Sequence, residues 1–202
     1  MAKPRNSPRQ QRSRETYERV LDVAAKTFEE LGYAGTTTNK VAEAAGISIG
    51  TLYHYFPDKD ALLYSLAERH LARASESMMA AFDRLRDDEP GLEESLRAGI
   101  DVNVRLHVEE PQLHRLLYDS APRSDSLLER LRAVDVAIAS EVAVHFERLG
   151  VAGDQRGLVS RMMVAGIEAQ VHSALIDAAE PVEPELLTET LTQLWVRALE
   201  AG

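Results

Sequence analysis

Two short helical segments joined by a glycine turn, between residues 37 and 56, constrain the fold of this chain more than any other stretch. A threonine at 36–38 and Ser48 are placed to cap the two segments, and Gly46 supplies a left-handed backbone that only glycine reaches easily. The residues that pack the segments together are Val41, Ala42, Ala45, Ile47, Leu52 and Phe56. This spacing is typical of a helix-turn-helix, whose second helix enters the DNA major groove and whose short helices need flanking helices as a platform.

The rest of the chain is predicted to form further helices, because no stretch shows the two-residue alternation of a strand. An amphipathic face begins near residue 14 and ends at Gly32, and a long helix follows Pro57 with Asp58 able to cap it. Later helices are predicted at about 92–108, 111–119, 124–149, 154–179 and 184–200. The expected fold is all-α, with a flexible basic arm at 1–13, a three-helix helix-turn-helix domain at 14–58 and a larger helical bundle at 59–202.

Charge is distributed unevenly along the chain. Residues 1–59 carry nine basic and seven acidic side chains, whereas residues 60–202 carry 14 basic and 26 acidic ones. All four lysines lie in the first part. This asymmetry predicts an N-terminal region that meets a polyanion and an acidic body that faces away from it.

Composition and motifs exclude several classes of protein. The chain has no cysteine, which excludes disulfides, thiolate metal sites and thiol nucleophiles. It has no Gly-rich phosphate loop, no nucleophile elbow and no His-Glu-x-x-His pair, so we expect neither an enzyme nor a cofactor. No apolar run approaches the roughly 20 residues of a membrane span, and the polar, basic N-terminus is no signal peptide, so we expect a cytoplasmic protein without a membrane partner.

One set of residues has the spacing of metal ligands. The spacing of His107, Glu110 and His114 would suit an ion if the three lay on one unbroken helix. Pro111 interrupts that helix and is expected to start the next one, so no metal site is predicted.

The N-terminal region resembles the tetracycline-repressor-like (TetR) family over about residues 14 to 66. The matching residues are Gly32-Tyr33, Thr36-Thr37, Val41-Ala42, Ala45-Gly46-Ile47-Ser48, Gly50-Thr51-Leu52-Tyr53, Tyr55-Phe56 and Lys59. The chain length and an all-helical remainder agree with that family. The resemblance implies a transcriptional regulator whose C-terminal helices serve in dimerisation and in binding a small-molecule effector of unknown identity.

The DNA-binding residues expected from this resemblance and from the chemistry of each side chain are Thr37, Thr38, Ser48, Ile49, Gly50, Thr51, Tyr53, His54, Tyr55 and Lys59. Thr51 can donate, accept or offer a methyl group to a base edge, and Lys59 resembles the family's phosphate-gripping lysine. Thr38 and Ile49 depart from the family's pattern, which leaves the specified bases open. Four alternatives also remain open: a core position for Tyr53, a solvated surface position for Lys59, a variable role for His54 and a solubilising role for the basic arm.

Two further surfaces follow from the resemblance and from apolar patterning. The residues expected at a dimer interface are Met162, Gly166, Ala169, Ser173, Leu187, Leu191, Leu194 and Trp195. The residues expected to line an effector pocket are Met78, Phe82, Leu96, Ile100, Val104, His107, Leu117, Tyr118, Val134, Ile138 and Val142. His145 is a further possible polar anchor. For any one of these positions, packing within a single chain is the alternative.

The leading hypothesis is a homodimeric repressor that binds a pseudo-palindromic DNA operator and is released by a small hydrophobic or amphipathic effector. One alternative is a helical small-molecule-binding or catalytic protein whose N-terminal unit is only a packing module. Another is an activator, or an effector-blind regulator, of the same fold. Sequence-specific DNA binding distinguishes the first alternative, and the sign of the change in expression on deletion distinguishes the second.

Overall fold

The structure, a computed structural model, describes residues 11–120, 125–180 and 182–201, and these residues form α-helices joined by short turns. The helices are α1 Gln11–Gly35, α2 Thr38–Ala44, α3 Ile49–Tyr55, α4 Lys59–Asp88, α5 Leu92–Glu109, α6 Pro111–Ser120, α7 Asp125–Leu149, α8 Arg156–His172 and α9 Pro184–Glu200. No strand occurs in these ranges, so the all-α prediction is confirmed.

The helix boundaries follow local chemistry that the sequence displays. The regular part of α1 breaks at Gly32, where φ is +66°, and Thr36 then donates its hydroxyl to the Gly32 carbonyl at 2.8 Å. At the start of α4, the Asp58 carboxylate accepts the backbone N–H of Ala61 at 2.8 Å, as predicted. α1 begins at Gln11, so three residues of the predicted basic arm are helical, and residues 1–10 of that arm lie outside the described residues.

The chain divides into two compact units. The N-terminal unit comprises the described residues of 1–71 and 112–128, and the C-terminal unit comprises those of 72–111 and 129–202. This division differs from the expected boundary after residue 58, because the first part of α4 packs its apolar side chains into the core of α1, α2 and α3. α6 joins the same unit through Leu113, which is buried in that core.

The C-terminal unit has its own core, built from the second part of α4 together with α5, α7, α8 and α9. Among the apolar side chains of this core that are fully buried, the largest is that of Ile100 on α5. The helix predicted at 154–179 is divided: a 3₁₀ turn at Gly153–Gln155 precedes α8, and a π-helical turn at Ser173–Asp177 follows it. Within the described ranges, no helix combines the length and the apolar character needed to cross a lipid bilayer.

Candidate DNA-binding surface

The turn between α2 and α3 has the geometry that its glycine predicts. Gly46 has φ of +65°, and its N–H donates to the Glu43 carbonyl at 3.0 Å. The next N–H, of Ile47, donates to the Ala42 carbonyl, also at 3.0 Å. These two bonds form a Schellman motif, which satisfies the last carbonyls of α2 and fixes the direction in which the chain enters α3.

Both short helices are capped by the hydroxyl residues that the sequence offered. The Thr37 hydroxyl accepts the N–H of Lys40 at 3.3 Å, and the Ser48 hydroxyl accepts the N–H of Thr51 at 3.1 Å. The Ser48 and Thr51 hydroxyl oxygens also lie 2.8 Å apart. The Ser48 and Thr51 hydroxyls hold each other in place at the exposed start of α3. Their remaining hydrogen-bonding capacity is therefore presented on an ordered surface.

The exposed face of α3 carries most of the predicted contact residues. Ser48, Gly50, Thr51 and His54 are exposed, and Tyr53 is 44% exposed. The side of the helix facing the protein is formed instead by buried residues, among them Leu52 and Phe56. Among the residues that the structure describes, an added Cβ at Gly50 would meet only the Ser48 hydroxyl, at 3.8 Å, so this position is open to close approach. Ile49 and Thr38 are half-buried at the edge of this face.

Tyr55 lies in the core and not on this face. It is 7% exposed, its ring packs edge-on against that of Tyr17 with centroids 6.1 Å apart, and its hydroxyl lies 2.9 Å from that of Ser13. The period of α3 explains this: Tyr55 follows Leu52 by three residues and therefore shares its buried side. Tyr55 is therefore not part of the proposed interface.

Lys59 is held by a small cluster at the start of α4. Its ammonium group donates to the Tyr33 carbonyl at 2.9 Å and lies 4.0 Å from the centre of the Tyr33 ring. The Tyr33 hydroxyl donates to the carboxylate of Asp60. Burial raises the pKa of Tyr33 to about 12, and the hydrogen bond to Asp60 adds to this shift. Sequence reasoning included Tyr33 in the family pattern but missed this tether.

A second lysine near this surface was not predicted. Lys40 is exposed on α2, and its ammonium group donates to the Gly35 carbonyl at 2.9 Å. The signal available in the sequence was a positive side chain in the first turn of α2, close to the expected DNA contact Thr37.

The residues expected around an effector meet largely within one apolar core. Those buried in the C-terminal unit are Met78, Phe82, Leu96, Ile100, Val104, His107 and Val142, while Val134 and Ile138 are half-buried. Two predicted residues do not belong to that core. Leu117 packs within the N-terminal unit and Tyr118 is 64% exposed, because α6 directs its apolar side into the N-terminal core.

The C-terminal unit buries two histidines beyond His107. His172 is 4% exposed on α8, and His145 is 4% exposed on α7, where its ring stacks on Phe82 with centroids 5.6 Å apart. Neither ring nitrogen of His145 has a hydrogen-bond partner in the part of the chain that the structure describes. Burial lowers the pKa of His145, and the nearby Arg148 and Arg86 lower it further.

The histidine set that the sequence suggested for a metal is interrupted as expected, since Pro111 is the first residue of α6. Glu110 is engaged elsewhere, with its carboxylate 3.2 Å from the guanidinium of Arg73. Within the N-terminal unit, the ring of His114 packs edge-on against that of His70, with centroids 4.3 Å apart.

The residues expected at a dimer interface fall into three groups. Met162, Ala169, Ser173 and Leu194 are exposed, whereas Leu187 and Leu191 are buried in the core of the C-terminal unit. Gly166 and Trp195 pack against each other, since an added Cβ at Gly166 would lie 3.2 Å from the indole ring. These two residues therefore bring α8 and α9 close together within one chain.

A capped pair of short helices, with the second helix exposed on an all-helical platform, defines a helix-turn-helix DNA-binding protein. Residues 20–66 match the family model for bacterial regulatory proteins of the tetR family, and residues 91–199 match that for the tetracyclin repressor-like C-terminal domain. The second match alone spans more than half of the chain. The chain therefore belongs to the TetR family of transcriptional regulators, and the resemblance seen in the sequence is confirmed.

Similar proteins agree with this assignment. An HTH-type transcriptional regulator of Staphylococcus aureus (strain USA300) is 28% identical over 101 residues, which are 50% of this chain and 52% of the relative. The chain thus spans about half the length of the curated relatives it matches. Among solved structures, a regulatory protein of the tetR family from Rhodococcus RHA1 superposes with a TM-score of 0.70 at 18% identity, covering 92% of this chain and 97% of the other.

A second solved structure shares the fold. The fatty acid degradation regulator FadR from Bacillus halodurans superposes with a TM-score of 0.68 at 18% identity, covering 89% of this chain and 93% of the other. At these identities the two likenesses establish the fold of the chain and not its ligand.

Proposed function

We propose that this TetR-family regulator is a homodimeric repressor that binds a pseudo-palindromic DNA operator and is released by a small apolar or amphipathic effector. The observation that carries the proposal is the start of α3, where Ser48, Gly50 and Thr51 stand exposed and Ser48 fixes the helix terminus. An exposed, capped helix of this kind presents hydroxyl groups to base edges and backbone N–H groups to phosphate.

Homodimerisation is supported by an apolar face on the last two long helices. On α8, Leu158 and Met162 are 51% and 60% exposed and lie one helical turn apart. On α9, Leu186 and Leu194 are 59% and 50% exposed and lie two turns apart. Exposed leucine and methionine side chains cost free energy in water, and a second copy of the same helices would cover them with two-fold symmetry. Two recognition helices about one DNA turn apart, roughly 34–36 Å, then match a palindrome.

An effector site in the C-terminal unit is supported by His145. A buried imidazole with neither nitrogen hydrogen-bonded is costly, and a ligand with a polar group would relieve that cost. The ring of Phe82 stacks on His145, and Val142, three residues earlier on α7, belongs to the same apolar core as Phe82. An effector with an apolar body and one polar group fits these neighbours. We favour repression because occupying an operator requires DNA binding alone, whereas activation also requires a surface for the transcription machinery.

The test is selection of binding sites from a random-sequence DNA pool by the purified protein, at about 150 mM salt. We expect enrichment of a pseudo-palindrome, and we expect Thr51→Ala to lose on the order of 1–3 kcal/mol of discrimination at one base pair of each half-site. Deletion of the gene should then raise expression next to the selected sites. A folded protein that enriches no sequence would contradict the proposal and favour a ligand-binding module, and lowered expression on deletion would indicate an activator.

A further inference from the structure

The buried tyrosine at the end of α3 joins that helix to the start of α1. The hydroxyl of Tyr55 lies 2.9 Å from that of Ser13, which is in the first turn of α1. One turn further along α1, the ring of Tyr17 packs edge-on against that of Tyr55, with centroids 6.1 Å apart. Tyr17 also stacks on Phe56, with centroids 4.9 Å apart. Two successive turns of α1 are therefore in contact with the end of α3.

The first turns of α1 have little support from the core. The buried residues of this helix begin at Val20. The turns before it contain exposed or half-buried residues alone. The first turn of a helix lacks part of its backbone hydrogen bonding, and it frays unless a neighbour holds it. The hydrogen bond between Ser13 and Tyr55 therefore decides where the first turn of α1 lies.

This first turn carries positive charge. Arg12 and Arg14 stand on either side of Ser13 in the sequence, and both are exposed. The acidic residue of the same stretch, Glu15, accepts a hydrogen bond from the side-chain amide of Gln11 at 3.2 Å. Exposed arginines on an ordered turn are well suited to contact phosphate groups, because the guanidinium is always charged and offers several donors.

Tyr55 also borders the exposed face of α3. The ring of His54, which is exposed on that face, packs edge-on against the Tyr55 ring with centroids 5.1 Å apart. Tyr55 thus lies between His54 on one side and Ser13 on the other, so the start of α1 flanks the face that we propose meets DNA. Bases line the floor of the major groove and the phosphate backbones form its edges. A duplex that presents its bases to α3 therefore presents a phosphate backbone beside this face.

We propose that Tyr55 is a positioning residue for DNA binding: through Ser13 it holds the first turn of α1 so that Arg12 contacts a phosphate beside the bases that α3 meets. Tyr55 itself touches no DNA. The inference rests on the proposed operator binding and adds to it a phosphate contact outside α2, α3 and Lys59. The competing explanation is that the Tyr55 hydroxyl only stabilises the fold of the N-terminal unit.

The test measures the affinity of the full chain for its selected operator and for random DNA at several salt concentrations, by fluorescence anisotropy. Arg12→Gln should weaken binding to both DNAs alike and lower the salt slope by about one unit. Tyr55→Phe, which keeps the ring and removes the hydroxyl, should lower the slope in the same direction, and Ser13→Ala should have the same effect. The preference for the operator over a copy with one mismatched base pair per half-site should not change, because α3 stays in place.

The chain offers a matched control for each variant. Tyr64→Phe also removes the hydroxyl of a buried tyrosine in the N-terminal unit, but this hydroxyl donates to Glu68 on its own helix at 2.9 Å. Lys26→Gln removes an exposed positive charge from α1, about 21 Å further along the helix than Arg12. Both controls should leave the salt slope unchanged. Combined with Arg12→Gln, Tyr55→Phe should cause no further loss of affinity.

Circular dichroism identifies any variant that has lost its helices, and the half-buried Ser13 keeps the test valid if Tyr55→Phe fails to fold. The inference is overturned if the unaltered protein binds its operator and Arg12→Gln has the same salt slope. It is also overturned if Tyr55→Phe loses discrimination against the mismatch, or if its loss adds in full to that of Arg12→Gln. An unaltered protein that selects no operator contradicts the proposed function, and this inference with it.

Discussion

The hydroxyl oxygens of Thr38 and Tyr53 lie 3.1 Å apart, so a hydrogen bond joins the first turn of α2 to the exposed face of α3. Tyr53 is otherwise 44% exposed and would sample several orientations in water. The bond therefore selects the direction of the phenol at the surface that we propose meets DNA, and it gives Thr38 a role in positioning a neighbour.

Thr38→Val tests that role, because it keeps the shape of the side chain and removes its hydroxyl. We expect operator affinity to fall by about 0.5–1.5 kcal/mol, the usual net value of one hydrogen bond, with little change in thermal stability. Thr38→Ser should restore affinity. In a double-mutant cycle measured by fluorescence anisotropy, Tyr53→Phe should add little to Thr38→Val, and full additivity of the two losses would contradict the coupling.

Gly50→Ala separates DNA binding from folding. The Cβ has open space within the protein and alanine favours a helix, so we expect the free energy of unfolding to stay equal or to rise by up to about 1 kcal/mol. Affinity for the operator should fall, since the added methyl group stands where DNA approaches. Gly46→Ala is the matched control: its φ of +65° predicts lower stability by about 1–2 kcal/mol. Unchanged affinity in Gly50→Ala would remove α3 from the groove.

Lys59→Ala should have two measurable effects. Loss of the bond to the Tyr33 carbonyl should lower stability by about 1 kcal/mol in chemical denaturation. Loss of a phosphate contact should weaken binding to operator and random DNA alike and lower the salt slope of binding by about one unit. Lys26→Ala, at an exposed position on α1, should leave stability unchanged. An unchanged salt slope would show that Lys59 bonds to Tyr33 and does not contact a DNA phosphate.

His145→Leu should make the protein more resistant to acid. Because the pKa of His145 is lowered in the folded chain, the unfolded chain takes up a proton first as the pH falls below about 6.5. Folded-state stability is therefore lost between that pH and the lower folded pKa, and above pH 6.5 both states are neutral.

Leucine removes this dependence and the unpartnered nitrogens, so we expect a gain of at least about 1 kcal/mol, larger at pH 5 than at pH 8. Urea unfolding at the two pH values measures it, with the exposed His54→Leu as the comparison. Lower stability at both values would show that His145 is a structural residue.

Leu194→Glu should separate the proposed dimer. It places a charge among the exposed apolar side chains of α8 and α9, and a charge at that position does not tolerate burial against a second copy. Sedimentation velocity should show a monomer that retains its helical circular dichroism and binds the palindrome far more weakly. Leu131→Glu, at a 39% exposed leucine on α7, should leave the assembly unchanged. Equal behaviour of the two variants would argue against this interface.

Local rules were enough to predict the helix-turn-helix. Gly46, Ser48 and Asp58 act within a few residues of their own position in the chain, through positive φ or through capping bonds, and each has the predicted geometry. A short-range signal of this kind is complete in the sequence because its partner is a backbone group close by. The helical period likewise predicts that Leu52 and Phe56 lie inward, and it places Tyr55 on the same buried side, so the expectation of a DNA contact at Tyr55 was wrong.

Tertiary structure decided which unit each later helix joins and which apolar side chains stay exposed. In the sequence, the pattern gives Leu117 and Leu187 the same description, an apolar position on a helix. In the structure, Leu117 packs in the N-terminal unit and Leu187 is buried in the core of the C-terminal unit. Other contacts join residues that are far apart in the sequence. His107 lies beside Glu168 and His172 only because α5 and α8 pack together, although more than sixty residues separate His107 from the other two. Periodicity predicts which side of a helix is apolar. Which other helix covers that side depends on long-range packing.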